Sequence, residues 1–175
     1  MPLADIETHP LSLAQLLDGI DEGSIVLPDF QRDFDWSESD VVSLLATVLM
    51  GWPAGTVLLM RGTPEFFNTR RFEAAPKPVP ETSYVVLDGQ QRLTALYHAL
   101  RNRGPAVYAL SFGDLGGVPD TAEGLEERLQ VINRDDWERT YRLPRQQLEA
   151  GPFSPFALTS ASEFFYRRGD GVAQG

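Results

Sequence analysis

The sequence predicts one mixed α/β (α+β) domain, and three observations lead there. Stretches with apolar residues every three or four positions alternate with short apolar runs of strand length. The chain has 175 residues, 42% of them hydrophobic, which suffices for one core. No internal repeat and no Gly- or Ser-rich linker divides it. The domain is assigned to residues 1–175, with the motif region in 12–112 and a helical or irregular C-terminal part over 113–175.

The elements follow in order. Leu13, Leu16, Leu17 and Ile20 repeat at helical spacing behind Ser12 as N-cap, with Gly23 just past the end, so residues 12–20 are a short helix. Ser24 to Leu27 is a brief strand halted by Pro28, and Pro28 to Trp36 is a loop. Ser37 precedes Glu38 and Asp40, a cap followed by acidic residues where the helix dipole favours them. Val41, Leu44, Leu45, Val48 and Leu49 form the clearest amphipathic stripe, and Gly51 closes it.

Trp52-Pro53-Ala54-Gly55 is a turn, and Thr56 to Met60 is an apolar strand of the kind buried on both faces. Residues 61–82 have weak periodicity and are read as a surface excursion with a short edge strand at Glu65 to Asn68. Ser83 to Leu87 is a second strong strand that runs into Asp88-Gly89-Gln90-Gln91-Arg92, after which Leu93, Leu96, Tyr97 and Leu100 return to helical spacing. Ala106 to Phe112 is a strand, Gly113 to Gly117 a turn, and Thr121 to Asn133 an acidic helix. Leu158 to Tyr166 begins a helix capped by Thr159 or Ser160, and Gly169 to Gly175 should fray.

Composition excludes several chemistries. With no cysteine there is no disulfide, thiolate nucleophile or cysteine-held metal, and a reducing cytoplasmic setting is the default expectation. Two histidines, His9 and His98, cannot by themselves build a metal centre, so any metal would be Mg²⁺ held mainly by a ligand. No apolar run approaches membrane-spanning length. The formal charge of −10 argues against a surface that grips nucleic acid broadly. Eight acidic residues fall between Asp18 and Asp40 with Arg32 as the one base among them, while nine of the 15 basic residues follow Arg92. A phosphate ligand would therefore be held by a few placed arginines, helix amides and a metal ion.

Two clusters can carry chemistry. Asp88 to Arg92 lies where a strand gives way to a helix, so backbone N–H groups and the positive dipole end attract phosphate. Gly89 permits a sharp turn and close approach of a ligand, Arg92 presents a two-pronged donor, Asp88 can hold Mg²⁺ or water, and Gln90 and Gln91 can hold water or read a sugar or base edge. A plain D-G turn at an exposed helix start explains the same residues by spacing alone. The second cluster, Pro28 to Trp36, holds Gln31, Arg32 and three aromatics, and a loop anchored by its aromatics with Arg32 neutralised by Asp29, Asp33 or Asp35 is the plain alternative. No P-loop signature occurs, and Lys77 cannot serve one. His98 is read as a surface or partly buried helix residue, with a general-base role as the sharper alternative. Arg101, Arg103, Arg139, Arg142 and Arg145 are the only basic concentration, either a solvated face or, at Arg139, Arg142 and Arg145, a DNA-phosphate strip.

Taken together, Pro28, Gln31-Arg32, Phe34, Trp36, the Gly51-x-Pro53-x-Gly55 turn and Asp88-Gly89-Gln90-Gln91-Arg92-Leu93-Thr94 resemble the N-terminal domain of GmrSD-type modification-dependent restriction proteins over Leu13 to about Leu100. The resemblance implies a ParB- and sulfiredoxin-like fold and binding, often hydrolysis, of a nucleoside triphosphate, ATP or GTP, with Mg²⁺. It implies Asp88, Gln90, Gln91 and Arg92 as catalytic, and Gln31, Arg32, Gly89, Arg92 and Thr94 as nucleotide-binding, with Asp88 at the metal. It further implies a phage-defence role, a nuclease domain or subunit as partner, and modified DNA as the sensed molecule or, without hydrolysis, the bound one. A homo-oligomer is a third expectation. Relatives continue into a nuclease of the His-Asn-His type, for which this chain has neither the length nor the histidines, so it reads as an isolated domain or a fragment.

Overall fold

A computed structural model describes residues 10–62, 64–111, 119–141 and 158–160. Helix α1 (Leu13–Asp21) opens on a full capping box: Ser12 Oγ accepts from the Gln15 N–H, and the Gln15 carboxamide accepts from the Ser12 N–H. Strand β1 (Ile25–Pro28) follows, buried throughout. Helix α2 (Glu38–Leu49) repeats the device with Ser37 and Asp40, whose carboxyl is held below its usual range by the hydrogen bonds from Ser37. The remaining elements are β2 (Leu58–Arg61), β3 (Thr69–Arg70), β4 (Tyr84–Asp88), α3 (Gln90–Leu100), β5 (Ala106–Ser111), α4 (Ala122–Arg128), β6 (Leu129–Asn133), α5 (Arg134–Tyr141) and β7 (Leu158–Ser160).

They form a mixed α/β fold with two small sheets. The first has the order β2-β4-β1-β3, with β1 and β4 parallel and both flanking pairs antiparallel. The second, β6-β5-β7, is antiparallel. A parallel pair needs a crossover, and here it contains α2 and β2, which brings the C-terminal ends of β1 and β4 side by side. The loop after β1 and the helix start after β4 are thereby adjacent, and those are the two sequence clusters.

The core joins Leu17 and Ile20 of α1, Val41 and Leu45 of α2, and Leu93, Tyr97 and Leu100 of α3, all at most 1% exposed, against the first sheet and Leu110 of β5. Tyr97 sits fully inside yet donates its hydroxyl to Asp21 at 2.8 Å; burial and that carboxylate push its pKa up to about 12. Arg101 extends the same tie between α3 and α1 through ion pairs with Asp18 and Asp21.

Four sequence expectations need correction. The strand at Thr56 to Met60 is not buried on both faces: β2 starts later, pairs among the described residues only with β4 at the sheet's edge, and leaves Leu58 half exposed. The short edge strand lies at Thr69–Arg70 rather than Glu65 to Asn68. The acidic helix ends at Arg128, and residues expected to continue it form β6. There the chain pairs with β5 from Leu129↔Leu110 to Asn133↔Ala106, and tertiary ladder bonds together with β-branched Val131 and Ile132 outweigh the helical preference of the preceding Glu-rich turn. Leu158–Ser160, expected to open a helix, is β7 on the other edge of β5. The expected turn at Gly113 to Gly117, the rest of the helix to Tyr166 and the terminal glycine-rich stretch lie outside the described residues.

Candidate functional site

Strand β4 ends at Asp88, Gly89 turns the chain with φ of 90°, and α3 begins at Gln90. A left-handed glycine lets the helix start without a residue bending over it, and no side chain caps the first turn. An ideal Cβ at Gly89 would lie 3.2 Å from Val57 Cγ2 and 3.4 Å from the Thr56 carbonyl oxygen, so the turn is tight as well as strained for any other residue. The outcome is a helix N-terminus with free amide donors at the floor of a cleft of about 360 Å³. Gln31, Arg32, Trp36, Asp88, Gln91 and Arg92 line it, and of its two arginines Arg92 lies 3.6 Å from the Asp88 carboxylate.

The polar side chains of the motif are already engaged, and almost all with backbone carbonyls. Gln31 donates through Nε2 to Val86 and Leu87 of β4, both at 3.0 Å, and its buried Oε1 has no partner among the described residues. Gln90, 7% exposed, donates to the Arg32 carbonyl at 2.7 Å. Gln91 donates to the Asp33 carbonyl at 2.9 Å and accepts from the Asp35 N–H at 3.2 Å. The loop after β1 is thus laced to the start of α3 from both directions.

Arg92 points the other way. Its Nη1 donates to the Ala54 carbonyl at 3.1 Å and its Nη2 to the Thr56 carbonyl at 2.7 Å, with Asp88 3.6 Å away. Gly55 lies between those two carbonyls with φ of 91°, and a Cβ there would fall 1.8 Å from Arg92 Nη1. The Gly-x-Pro-x-Gly turn therefore serves as the receptor for this guanidinium. Arg32 is different again: its backbone is bonded, while its side chain is 67% exposed and paired with Asp35 at 2.8 Å.

The structure brings Gln31, Arg32 and Asp88 to Arg92 together. It does not bring Thr94 to the cleft. Thr94 is 1% exposed, donates its hydroxyl to the Gln90 carbonyl at 2.9 Å, and lines a second cavity of about 500 Å³ together with Phe34, Arg70 and Phe72. That cavity shares only Gln90 with the motif cleft and is larger; there Arg70 lies 3.4 Å from the Asp33 carboxylate and Arg71 donates to the Ala75 carbonyl at 3.2 Å. Of the arginines expected to contact DNA, Arg139 is exposed and paired with Asp136, while Arg142 and Arg145 lie outside the described residues.

His98 is 5% exposed and absent from the motif cleft. Its ring meets Phe34 edge-on at 5.2 Å and its Nε2 lies 3.2 Å from the Glu73 carbonyl, so it pins the loop and the 72–75 turn to α3. Burial holds its pKa below the usual 6.5, against smaller opposing effects of Glu73. The folded state therefore takes up a proton less readily than the unfolded one, so the stabilisation is complete above pH 6.5 and is lost as pH falls from there through the lowered folded value. The unfolding midpoint should fall between pH 7.5 and 5.5 more steeply in the parent than in His98→Gln, which keeps a donor but does not titrate. Parallel profiles for the two proteins would refute this.

Three participants carry no signal in the sequence. Arg70 binds the loop from the sheet edge, and Ala54 and Thr56 contribute only carbonyls.

Comparison with known proteins adds two findings. The family described as GmrSD restriction endonuclease, N-terminal domain, matches residues 13–163. Over 86 residues the chain is 38% identical to an uncharacterized protein of Methanocaldococcus jannaschii, a match that covers 45% of this chain and 15% of that relative.

Proposed function

The chain belongs to the family of GmrSD restriction endonuclease N-terminal domains, and on that footing we propose that it binds a nucleoside triphosphate with Mg²⁺ at the β4–α3 junction, hydrolyses it slowly, and thereby regulates a nuclease domain or subunit in a restriction system directed against phage. The observation that carries this reading is the uncapped start of α3, opening behind a left-handed glycine into a cleft lined by Arg32, Asp88 and Arg92. Backbone N–H groups and the dipole end attract phosphate, and Arg32 and Arg92 add charge-assisted donors. In a protein of net charge −10 such a local concentration of donors selects a compact anion rather than a long polyanion.

Asp88 is the one acidic side chain lining the cleft, and among the described residues no cluster of three or more His, Asp or Glu could hold a metal by itself. The fit is to a Mg²⁺ that takes Asp88 from the protein and its other oxygens from phosphate and water. Such an ion would supply neutralisation of the phosphate charge. The chain's own residues position the ligand: the α3 amides at the phosphates, the exposed Arg32 beside them, and Arg92 once its guanidinium turns from the Ala54 and Thr56 carbonyls. Water positioning by Gln90 or Gln91 requires one carboxamide to leave its loop carbonyl first, which makes turnover slow and couples it to movement of the Gln31 to Asp35 loop.

Thermal unfolding with Mg²⁺ and either ATP or GTP tests the binding step. At a concentration about a hundredfold above Kd the stabilisation is about 2.7 kcal/mol, which for a chain of this size raises the midpoint by about 5–10 °C. No shift with either nucleotide would sink the reading.

A further inference from the structure

Strand β3 is only two residues long, yet it places Arg70 on the edge of the first sheet opposite Leu27 of β1. Through Nη2 the guanidinium donates to the Gln31 carbonyl at 3.0 Å and the Arg32 carbonyl at 2.8 Å, and Nη1 lies 3.4 Å from the Asp33 carboxylate. From the opposite side Gln90 reaches the same Arg32 carbonyl. That oxygen accepts from two donors, which is its full capacity, so the backbone at Arg32 is clamped between sheet edge and helix start. The Arg32 side chain, by contrast, is exposed and its partner is an exposed near neighbour, Asp35.

We infer that Arg70 is a positioning residue: it fixes the backbone of Gln31 to Asp33 so that the Arg32 guanidinium is presented to the cleft at the α3 N-terminus. This assignment rests on the nucleotide reading and gives it a residue that touches no phosphate. Arginine suits the task because one planar fork reaches two carbonyls and a carboxylate together, where an ammonium is a single point charge without that fixed geometry. It also accounts for the excursion between β2 and β4, which rejoins the sheet for two residues and there delivers Arg70.

The test uses Arg70→Ala, Arg70→Lys, Arg32→Ala and the Arg32→Ala/Arg70→Ala double variant of the whole chain, with two readouts. Amide hydrogen exchange without nucleotide should rise at residues 31–35 in Arg70→Ala while β4 and α3 stay protected, and Arg70→Lys should recover part of that protection. Calorimetric titration with Mg²⁺ and ATP or GTP should show each alanine variant binding about tenfold more weakly, with the double variant no weaker than Arg32→Ala, because residues acting through one contact do not add. Unchanged exchange at 31–35, protection lost evenly over the chain, or losses that multiply in the double variant would each overturn the assignment. If the parent binds neither nucleotide, the nucleotide reading falls and presentation of Arg32 to a phosphate falls with it; the exchange readout then decides the loop anchoring alone.

Discussion

Gly55→Ala is expected to destabilise the fold by about 3 kcal/mol, far more than the same change at Gly51. Both glycines are left-handed, with φ of 91° and 77°, so each alanine carries about 1 kcal/mol of backbone strain. At Gly51 a Cβ meets nothing within 4 Å. At Gly55 it lands 1.8 Å from Arg92 Nη1. The guanidinium is the far end of a flexible chain, so it moves rather than resists, and the additional loss is the worth of its two charge-assisted bonds, about 2 kcal/mol. The ion pair to Asp88 adds little, since Asp88 is 72% exposed. A chemical-denaturation series of Gly51→Ala, Gly55→Ala, Arg92→Ala and the Gly55→Ala/Arg92→Ala pair checks this: in the Arg92→Ala background the Gly55 change should shrink to the Gly51 value. If it keeps its full effect, the turn is not the receptor for Arg92.

Arg92→Ala should abolish the thermal response to nucleotide while lowering the unliganded midpoint by about 4–8 °C, the equivalent of about 2 kcal/mol in a chain of this length. The two effects separate in Gly55→Ala. That variant frees the guanidinium from Ala54 and Thr56 without removing its charge, so it should keep a nucleotide response although its unliganded stability is lower still. A response lost equally in both variants would mean that Arg92 serves the cleft only by holding the turn. A response retained in Arg92→Ala would remove this arginine from the phosphate site. Measuring affinity well below either midpoint keeps stability and binding apart, and a hundredfold loss corresponds to about 2.7 kcal/mol.

The helices were legible because their signals are local. Ser12 and Ser37 stand before apolar stripes and do cap α1 and α2, and the apolar run before Asp88 does become a strand that hands over to α3. The misreadings share a cause. Residues 129–133 carry a pattern that either a helix or a strand can bury, and pairing with β5 decided it. Thr56 to Met60 is as apolar as a central strand, but edge position is a property of the sheet and not of the strand. Thr94 fitted the motif by sequence spacing, while helical rotation carries it into the other cavity.

By itself the sequence determined where α1, α2, α3 and α4 begin, that a glycine turn joins a strand to a helix, and which family the chain belongs to. Only the tertiary structure decided what the motif's side chains touch. Gln31 reaches β4 across 55 positions, Gln90 reaches the Arg32 carbonyl across 58, and Arg92 reaches the turn at Ala54 across 38. Each of these partners is a backbone carbonyl, a group every residue carries, so no pattern of residue types can mark which carbonyls the fold will bring within reach.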